Sequence, residues 1–451
     1  MKNHLIKSLA IAAVAFTTNA FASQVLFKNV NIFDGKNEQL KQNHHVLVVD
    51  NEITKISKDK IVVAQDAVII DGSNKTLMPG MIDVHAHLAI TTALSKIHGY
   101  VSPEENAIRS TLTAKTFIDD GFTTVRDAGG HTFALKRLID QGLVPGPRIY
   151  PSGAFISQTS GHGDFRTPAE PHASTGHVDA GHRLKMGKVV DGKAEIYRAV
   201  RENLRQGATQ IKIMASGGAG SDFDPLDSLQ FQPEEQLAAV NAAKDWGTYV
   251  TAHLLTDAAI SRALDSGVMG VEHGLMIKER GMKKLVEKGA FLATQFNATS
   301  PRLTELPGLQ QVNIDKIVNA QKDMANLVPL IKKYQPKIPF AVDAFGPPSS
   351  HIKQRRYELY WGAELFGNFD TLKRATSVSA EFVALSGKRN PYGKLGVIEE
   401  GALADILLID GNPLEDISLV GADAGWWDAS TEDIKTILVI MKDGKFHKNT
   451  L

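Results

Sequence analysis

His85 and His87 are the first residues in this chain whose types and spacing could do chemistry. They close the stretch MPGMIDVHAHL at positions 78–88. The apolar residues Met81, Ile82 and Val84 read as a strand, and strand side chains two apart share a face. Two imidazoles can then meet one divalent cation such as zinc. Taken alone, two polar residues at a strand end would look the same. The chain goes on to supply more of the same kind: Lys212 in QIKIM, His253 in YVTAH, His273 in GVEH and Asp343 in PFAVD. Lys212 lies between Ile211 and Ile213, where a bare ammonium is costly to bury. Either its side chain snorkels to the surface, or its neutral amine takes up carbon dioxide. The resulting carbamate has anionic oxygens that can bridge two metal ions.

A repeated strand–helix rhythm must position these groups. Helical patterns at 102–121, 132–141, 194–206, 233–246, 256–266, 278–288 and 314–333 lead into strand-like runs at 123–126, 148–151, 210–214, 249–253, 270–273, 291–294 and 339–343. With the run at 81–84, eight β/α units predict an α/β fold of the (β/α)8 TIM-barrel kind, whose reacting groups sit at the C-terminal strand ends. Five strand ends carry the candidates, which favours one metal site over scattered structural histidines. Short strands separated by Gly, Asn and Asp turns occupy 24–76 and return at 395–398, 404–409 and 436–440. They predict a small β-sandwich domain that is discontinuous, built from both chain ends. The expected divisions are 1–22 (signal peptide), 23–78 (first part of the sandwich), 79–393 (barrel) and 394–451 (second part).

Composition excludes several classes. Lys+Arg and Asp+Glu are 50 each, so no basic excess points to nucleic acid. The absence of cysteine rules out disulfides and thiolate ligation. Lys2 and Lys7, the apolar run 9–16 and the small-residue site Ala20-Phe21-Ala22 read as a secretory signal. An exported protein, periplasmic or secreted and without a membrane span after cleavage, is expected.

With these motifs in place, the chain resembles the binuclear metal-dependent members of the amidohydrolase superfamily over nearly all of its mature length. The matching stretches are PGMIDVHAH at 79–87, GALAD at 401–405, Lys212, His253, His273 and Asp343. The resemblance implies two divalent ions, for which zinc suits the donors best. His85, His87 and Asp343 would hold one, His253 and His273 the other, with N6-carboxylysine at Lys212 between them. IKIMASGG at 211–218 and SQTSGHGDFR at 157–166 look like the prolidase-like dipeptidases and ochratoxin-degrading amidohydrolases. That branch implies hydrolysis of an amide, a dipeptide or N-acyl amino acid, whose product amine carries a carboxylate. Relatives often have Tyr where this chain has Phe231, which bears on substrate range.

The expected mechanism uses a hydroxide bridging the two metals. Asp343 would accept its proton and pass it to the leaving nitrogen. His162, on the loop after the third strand, is the candidate for hydrogen bonding the carbonyl oxygen; a solvent-facing loop histidine is the alternative. Arg166, His351 and Arg355 are candidates for a substrate carboxylate, Arg because it can bind one bidentately, and Phe231 also belongs with the substrate-binding candidates. A small-molecule substrate and a homo-oligomer are expected. Two other readings compete: opening of a cyclic amide, as in imidazolonepropionase-like enzymes, and a non-catalytic barrel scaffold. The first can manage with one metal, so Lys212 weighs against it. The second should have lost ligands, and all six positions are filled.

Overall fold

The computed structural model describes residues 23–92, 101–221, 223–305 and 309–451. The expected signal segment, 1–22, lies outside the described residues. Five strands come first: β1 (Gln24–Ile32), β2 (Lys41–Val49), β3 (Glu52–Ser57), β4 (Val68–Asp71) and β5 (Thr76–Pro79). Strands and helices then alternate. They are β6 (Met81–Ala86), α1 (Pro103–Asp119), β7 (Phe122–Asp127), α2 (Phe133–Asp140), β8 (Arg148–Pro151), β9 (Phe155–Ser157), α3 (Ala180–Arg183), β10 (Gly187–Val189) and α4 (Gly192–Gln206). There follow β11 (Ile211–Met214), α5 (Pro233–Asp245), β12 (Val250–Thr256), α6 (Asp257–Asp265), β13 (Gly270–Met276), α7 (Glu279–Glu287) and β14 (Phe291–Ala293). Five helices come next: α8 (Gln311–Met324), α9 (Leu327–Tyr334), α10 (Pro348–Phe366), α11 (Asn368–Lys373) and α12 (Ser379–Ala384). The chain ends in β15 (Ile406–Ile409), β16 (Ile437–Lys442) and β17 (Lys445–Asn449).

Local signals place the helix starts. Ser102 caps α1 by accepting from the Glu105 N–H, with Pro103 in the first turn. Gln232 and Glu235 form a capping box on α5. The helix expected over 314–333 breaks between α8 and α9. Pro329 explains this, because it has no N–H to return to the carbonyl of Ala325.

The fold is α/β. Strands β6, β7 and β8 form one parallel sheet, and β10-β9-β11-β12-β13-β14 a second. Backbone bonds join their ends. Thr209 N–H donates to Pro151 O at 2.9 Å, between β8 and β11. On the other side, the stretch 337–343 lies between β14 and β6: Leu292 N–H reaches Lys337 O (2.9 Å), Val84 N–H reaches Phe340 O (2.9 Å) and Asp343 N–H reaches His85 O (2.8 Å). This stretch was expected as the eighth strand. It lacks a regular ladder, because Pro339 has no N–H to donate and Asp343 turns left-handed at φ +59°.

The two chain ends meet in one mixed sheet of eight strands, ordered β17-β16-β15-β5-β1-β2-β3 with β4 beside β1. Where a sandwich is expected, the hydrogen bonds make a single sheet. Its apolar face is continuous from Phe27, Val46 and Ile53 to Leu408 and Val439. Its alternate residues, Met78, Leu407, Ile409 and Ile440, pack with Phe117 and Phe122. The β16–β17 turn uses Asp443 and Gly444 in left-handed conformations. A Cβ on Gly444 would lie 1.7 Å from Asp50 O, so only glycine closes this turn against the β2–β3 turn. Trp426 stacks on Tyr357 of α10 (4.2 Å) and on Trp427 (4.6 Å), fastening the C-terminal segment to that helix. Among the described residues, no helix is long and apolar enough to cross a membrane.

Candidate functional site

The strand ends bring the sequence-derived ligands together. Ligand atoms of His85, His87 and Asp343 all lie within 4.8 Å of one another. His87 Nε2 is 3.1 Å and His85 Nε2 3.4 Å from Asp343 Oδ1. Lys212 Nζ is 3.5 Å from His85 Nε2. Ring centroids of His85 and His273 are 5.0 Å apart, those of His253 and His273 4.4 Å. The convergence of His85 and His87 does not rest on regular alternation alone, since the β6–β7 register slips between Asp83 and Ala86.

Two of these residues hold unusual backbone. His273 has φ +67° and Asp343 φ +59°. Non-glycine residues seldom occupy this region, and those that do cluster at functional sites. The turn at His273 has a visible effect. Glu272 and His273 are consecutive on β13, so alternation would send them apart, yet both reach the same centre.

Each imidazole has one nitrogen committed to the protein. His87 Nδ1 lies 3.3 Å from Gly129 O, His253 Nε2 3.1 Å from Gly217 O and His273 Nδ1 2.8 Å from Gln295 Oε1. His85 Nδ1 lies 2.7 Å from Glu272 Oε2. In the His87, His253 and His273 rings an outer acceptor fixes the N–H and leaves the second nitrogen with a free lone pair, the pattern of metal-ligating histidines, while His85 Nδ1 also meets the Gln295 amide at 3.3 Å. Glu272 is anchored in turn by Arg126 Nη2 at 2.5 Å and by the Thr251 hydroxyl.

Electrostatics favour the same forms. Burial, then the nearby lysine, pushes the His85 imidazole down to about 4 against the pull of Asp343 and Glu272. Burial takes His273 to about 3 and His253 well below its ordinary value. Burial alone would raise the Asp343 carboxyl, but His85, His87 and His273 hold it well below the usual range. Burial lowers the Lys212 amine to about 8, which brings its neutral, nucleophilic form within reach at neutral pH. Neutral imidazoles, an anionic carboxylate and an amine able to become a carbamate fit a pair of divalent cations.

His162 comes to the edge of this centre. Its ring stacks on His253 with centroids 4.0 Å apart, and its Nδ1 lies 2.8 Å from Ser221 Oγ and 3.2 Å from Asp224 Oδ2. The hydrogen bond and charge of His162 overcome the effect of burial and lower the Asp224 carboxyl to about 2.

The substrate-binding candidates fare differently. Phe231 is 2% exposed and belongs to the helix–sheet core with Ile213 and Ala238. Its N–H is tied to Gln158 Oε1. Arg355 is corrected. It is fully buried on α10, donates to Asp120 Oδ2 (3.0 Å) and Thr116 O (2.8 Å), and lies 3.9 Å over the Phe117 ring. It fastens α10 to α1 and is not free for a substrate carboxylate. His351 is buried 6.0 Å from the same Phe117 ring, within electrostatic reach of His87, and neither of its ring nitrogens has a hydrogen-bond partner among the described residues. Arg166 stays near His162 on the loop, with its guanidinium already held by Asp164 at 2.8 and 2.6 Å. Glu272, Gln295 and Asp224 are the site residues that sequence reasoning missed. Glu272 had a signal, since it is an acid inside an apolar strand next to a candidate ligand.

Comparison with known proteins gives a consistent relationship. Residues 76–446 match the amidohydrolase family. The chain is 29% identical to an ochratoxinase of Aspergillus niger over 391 residues, 82% of this chain and 75% of that one. Among solved structures, it is similar to a prolidase complexed with N-methylphosphonate-L-proline (33% identity, TM-score 0.83), covering 95% of this chain and 100% of the other. It is likewise similar to a Xaa-Pro dipeptidase with methionine bound in the active site (27% identity, TM-score 0.79), covering 95% and 100%.

Proposed function

The chain belongs to the amidohydrolase family, and from that premise we propose that it hydrolyses the amide bond of a dipeptide or N-acyl amino acid at a two-metal centre. The scaffold in this reading is a closed (β/α)8 barrel, supported by the backbone bonds that join β8 to β11 and, through 337–343, β14 to β6. The observation that carries the function is the gathering of four imidazoles, each with one nitrogen already bonded, around Asp343 and Lys212.

His85, His87 and Asp343 would hold one cation and His253 and His273 the other, with a Lys212 carbamate between them. Two such cations, with zinc the best match to these donors, would supply Lewis acidity at the scissile bond. The protein's own residues do the rest. Asp343 is 29% exposed in its side chain, against 1% for His85 and 9% for His273, so it is the ligand open to reactants. Its carboxylate accepts the proton of the attacking water and delivers it to the leaving nitrogen. His162, with the Asp224 carboxylate as its counter-charge, hydrogen-bonds the carbonyl oxygen as negative charge builds there. Lys212 forms its carbamate when the neutral amine adds to carbon dioxide and releases one proton. The relatives named for ochratoxin, prolidase and Xaa-Pro dipeptidase activity all support a substrate whose amine product carries a carboxylate.

The test is a hydrolysis screen of the zinc-loaded protein against Xaa-Pro, Xaa-Phe and Xaa-Arg dipeptides, N-acyl amino acids and cyclic amides. Release of a free amino acid from the linear amides is expected. Ring opening of the cyclic amides with the linear panel untouched would replace this reading.

A further inference from the structure

The segment after β11, residues 215–230, carries a hydrogen-bonded cluster outside the ligand set. Asp224 is 2% exposed and stands at its centre. It accepts from Gly218 N–H (2.9 Å), from Gln230 Nε2 (3.3 Å) and from the Ser221 hydroxyl. Since the Ser221 hydroxyl gives its proton to Asp224, its oxygen is free to accept from His162 Nδ1 at 2.8 Å. Asp224 Oδ2 itself lies 3.2 Å from the same nitrogen. Both neighbours of Nδ1 are therefore acceptors, and Nδ1 must carry a hydrogen. Nε2 is left as the nitrogen the loop does not engage. Gln230 ties the arrangement from the other side: its Oε1 accepts from the His162 backbone N–H at 2.8 Å while its amide donates to Asp224.

Packing fixes the plane of the ring as well. One face of His162 stacks on His253. The other lies against Gly218, where a Cβ would come 2.1 Å from His162 Cε1, so any side chain there would displace the imidazole. The loop is in turn held from α8. Lys316 Nζ donates to three of its carbonyls, those of Ser221 (2.7 Å), Asp224 (2.8 Å) and Gly218 (3.2 Å), and Asn313 Nδ2 donates to Ala219 O at 2.9 Å. Asn313 and Lys316 are three apart on α8 and so share a face. An ammonium that spends its three protons on three carbonyls of one loop has a positioning role and no free donor for a ligand.

We propose that Asp224 is the positioning residue for His162, holding its Nδ1–H and ring plane so that Nε2 is turned out of the loop, and that Lys316 clamps the loop that carries Asp224. This rests on the hydrolase reading above, in which His162 touches the substrate carbonyl. Neither Asp224 nor Lys316 touches the metal ligands' donor nitrogens. Their loss should therefore act on turnover and leave the metals in place.

The experiment uses the full-length, metal-loaded enzyme and the best linear amide from the screen. Asp224→Asn should lower kcat about 10- to 100-fold, the usual scale for an outer partner of a site residue, with KM and metal content little changed. Lys316→Met should act in the same direction more weakly. The decisive comparison is the double variant His162→Ala/Asp224→Asn, which should be no slower than His162→Ala alone. Losses that multiply in the double variant, or an Asp224→Asn enzyme with wild-type kcat, overturn the proposal. A second readout is independent of activity. With 15N-histidine labelling, the hydrogen-bonded Nδ1–H of His162, identified by its absence in His162→Ala, should shift upfield in Asp224→Asn; an unmoved resonance also overturns the proposal. If the wild type hydrolyses nothing, the functional reading fails and the resonance still decides the pairing. If Asp224→Asn does not fold, Ser221→Ala takes its place in both measurements.

Discussion

His85 Nδ1 and Glu272 Oε2 lie 2.7 Å apart in a contact closed to solvent, with side-chain exposures of 1% and 0%. Glu272 joins two systems: it orients a ligand imidazole and neutralises Arg126, whose guanidinium is fully buried beneath the site. Replacing Glu272 by Gln keeps the shape and removes the charge. Arg126 is then left buried without its counter-ion, a loss of about 3 kcal/mol or more. His85 also loses its charged partner, which should weaken metal binding by about 10- to 100-fold. We expect a lower urea midpoint together with substoichiometric metal after dialysis. A variant with the wild-type midpoint and full metal content would show that Glu272 does neither job.

Asp343 is placed to move a proton. It combines an anionic carboxylate, access to reactants and contacts to His85 and His87. Asp343→Asn is isosteric and cannot accept the proton. Turnover should fall by a factor on the order of 10² to 10⁴, while circular dichroism and the melting profile stay near those of the wild type. Activity close to wild type would refute the proton-transfer role.

Much of this centre is legible in the sequence. His85, His87, Lys212, His253, His273 and Asp343 stand out as polar residues at the ends of apolar runs, and caps such as Ser102-Pro103 mark where helices begin. What sequence could not show depends on contacts between distant positions. Arg355 reads as a candidate for a substrate carboxylate until Asp120, 235 residues away, comes to meet it. Glu272 reads as a strand residue facing away from His273 until the left-handed turn at His273 aims both inward. Asp224 sits in a glycine-rich stretch with no periodicity to place it, and its role appears only when His162 and Lys316 arrive from other parts of the chain.

Lys212 offers a test with a chemical handle. Burial lowers its amine to about 8, so about a tenth is unprotonated at pH 7 and able to add to carbon dioxide. Protein stripped of metal and reconstituted with zinc in carbon-dioxide-free buffer should recover activity slowly and incompletely. Added bicarbonate should restore it, and faster at pH 8 than at pH 7. Lys212→Met should bind fewer than two metals per chain and ignore bicarbonate. Reconstitution that is indifferent to bicarbonate in the wild type would remove the carbamate from the site.

Glu358 on α10 controls stability against pH. It is buried where it accepts from Phe296 N–H (2.8 Å) and Asn297 N–H (2.7 Å), and burial outweighs those bonds, raising its carboxyl to about 8 from an ordinary 4.5. The folded protein thus keeps a proton that the unfolded chain releases near pH 4.5. This contribution to stability is fully present below that pH and is lost as pH rises through about 8. Asp127, raised to about 7, and Asp83, raised to about 6, act with the same sign. His85, lowered to about 4, and His273 and His351, lowered to about 3, act in the opposite sense but only below about 6.5, the ordinary histidine value. Between pH 7 and 8 the histidines are neutral in both states, Asp127 passes from half to mostly ionised, and the Lys212 amine, lowered to about 8, begins to act in the opposite sense, so Glu358 makes the largest single contribution. Its slope is at most about 1.4 kcal/mol per pH unit. Chelator-treated protein should therefore lose stability from pH 7 to 8 in urea unfolding. Glu358→Gln keeps one acceptor oxygen and has no proton to release, so the loss should flatten in that variant. An unchanged slope in Glu358→Gln would mean that another buried group carries it.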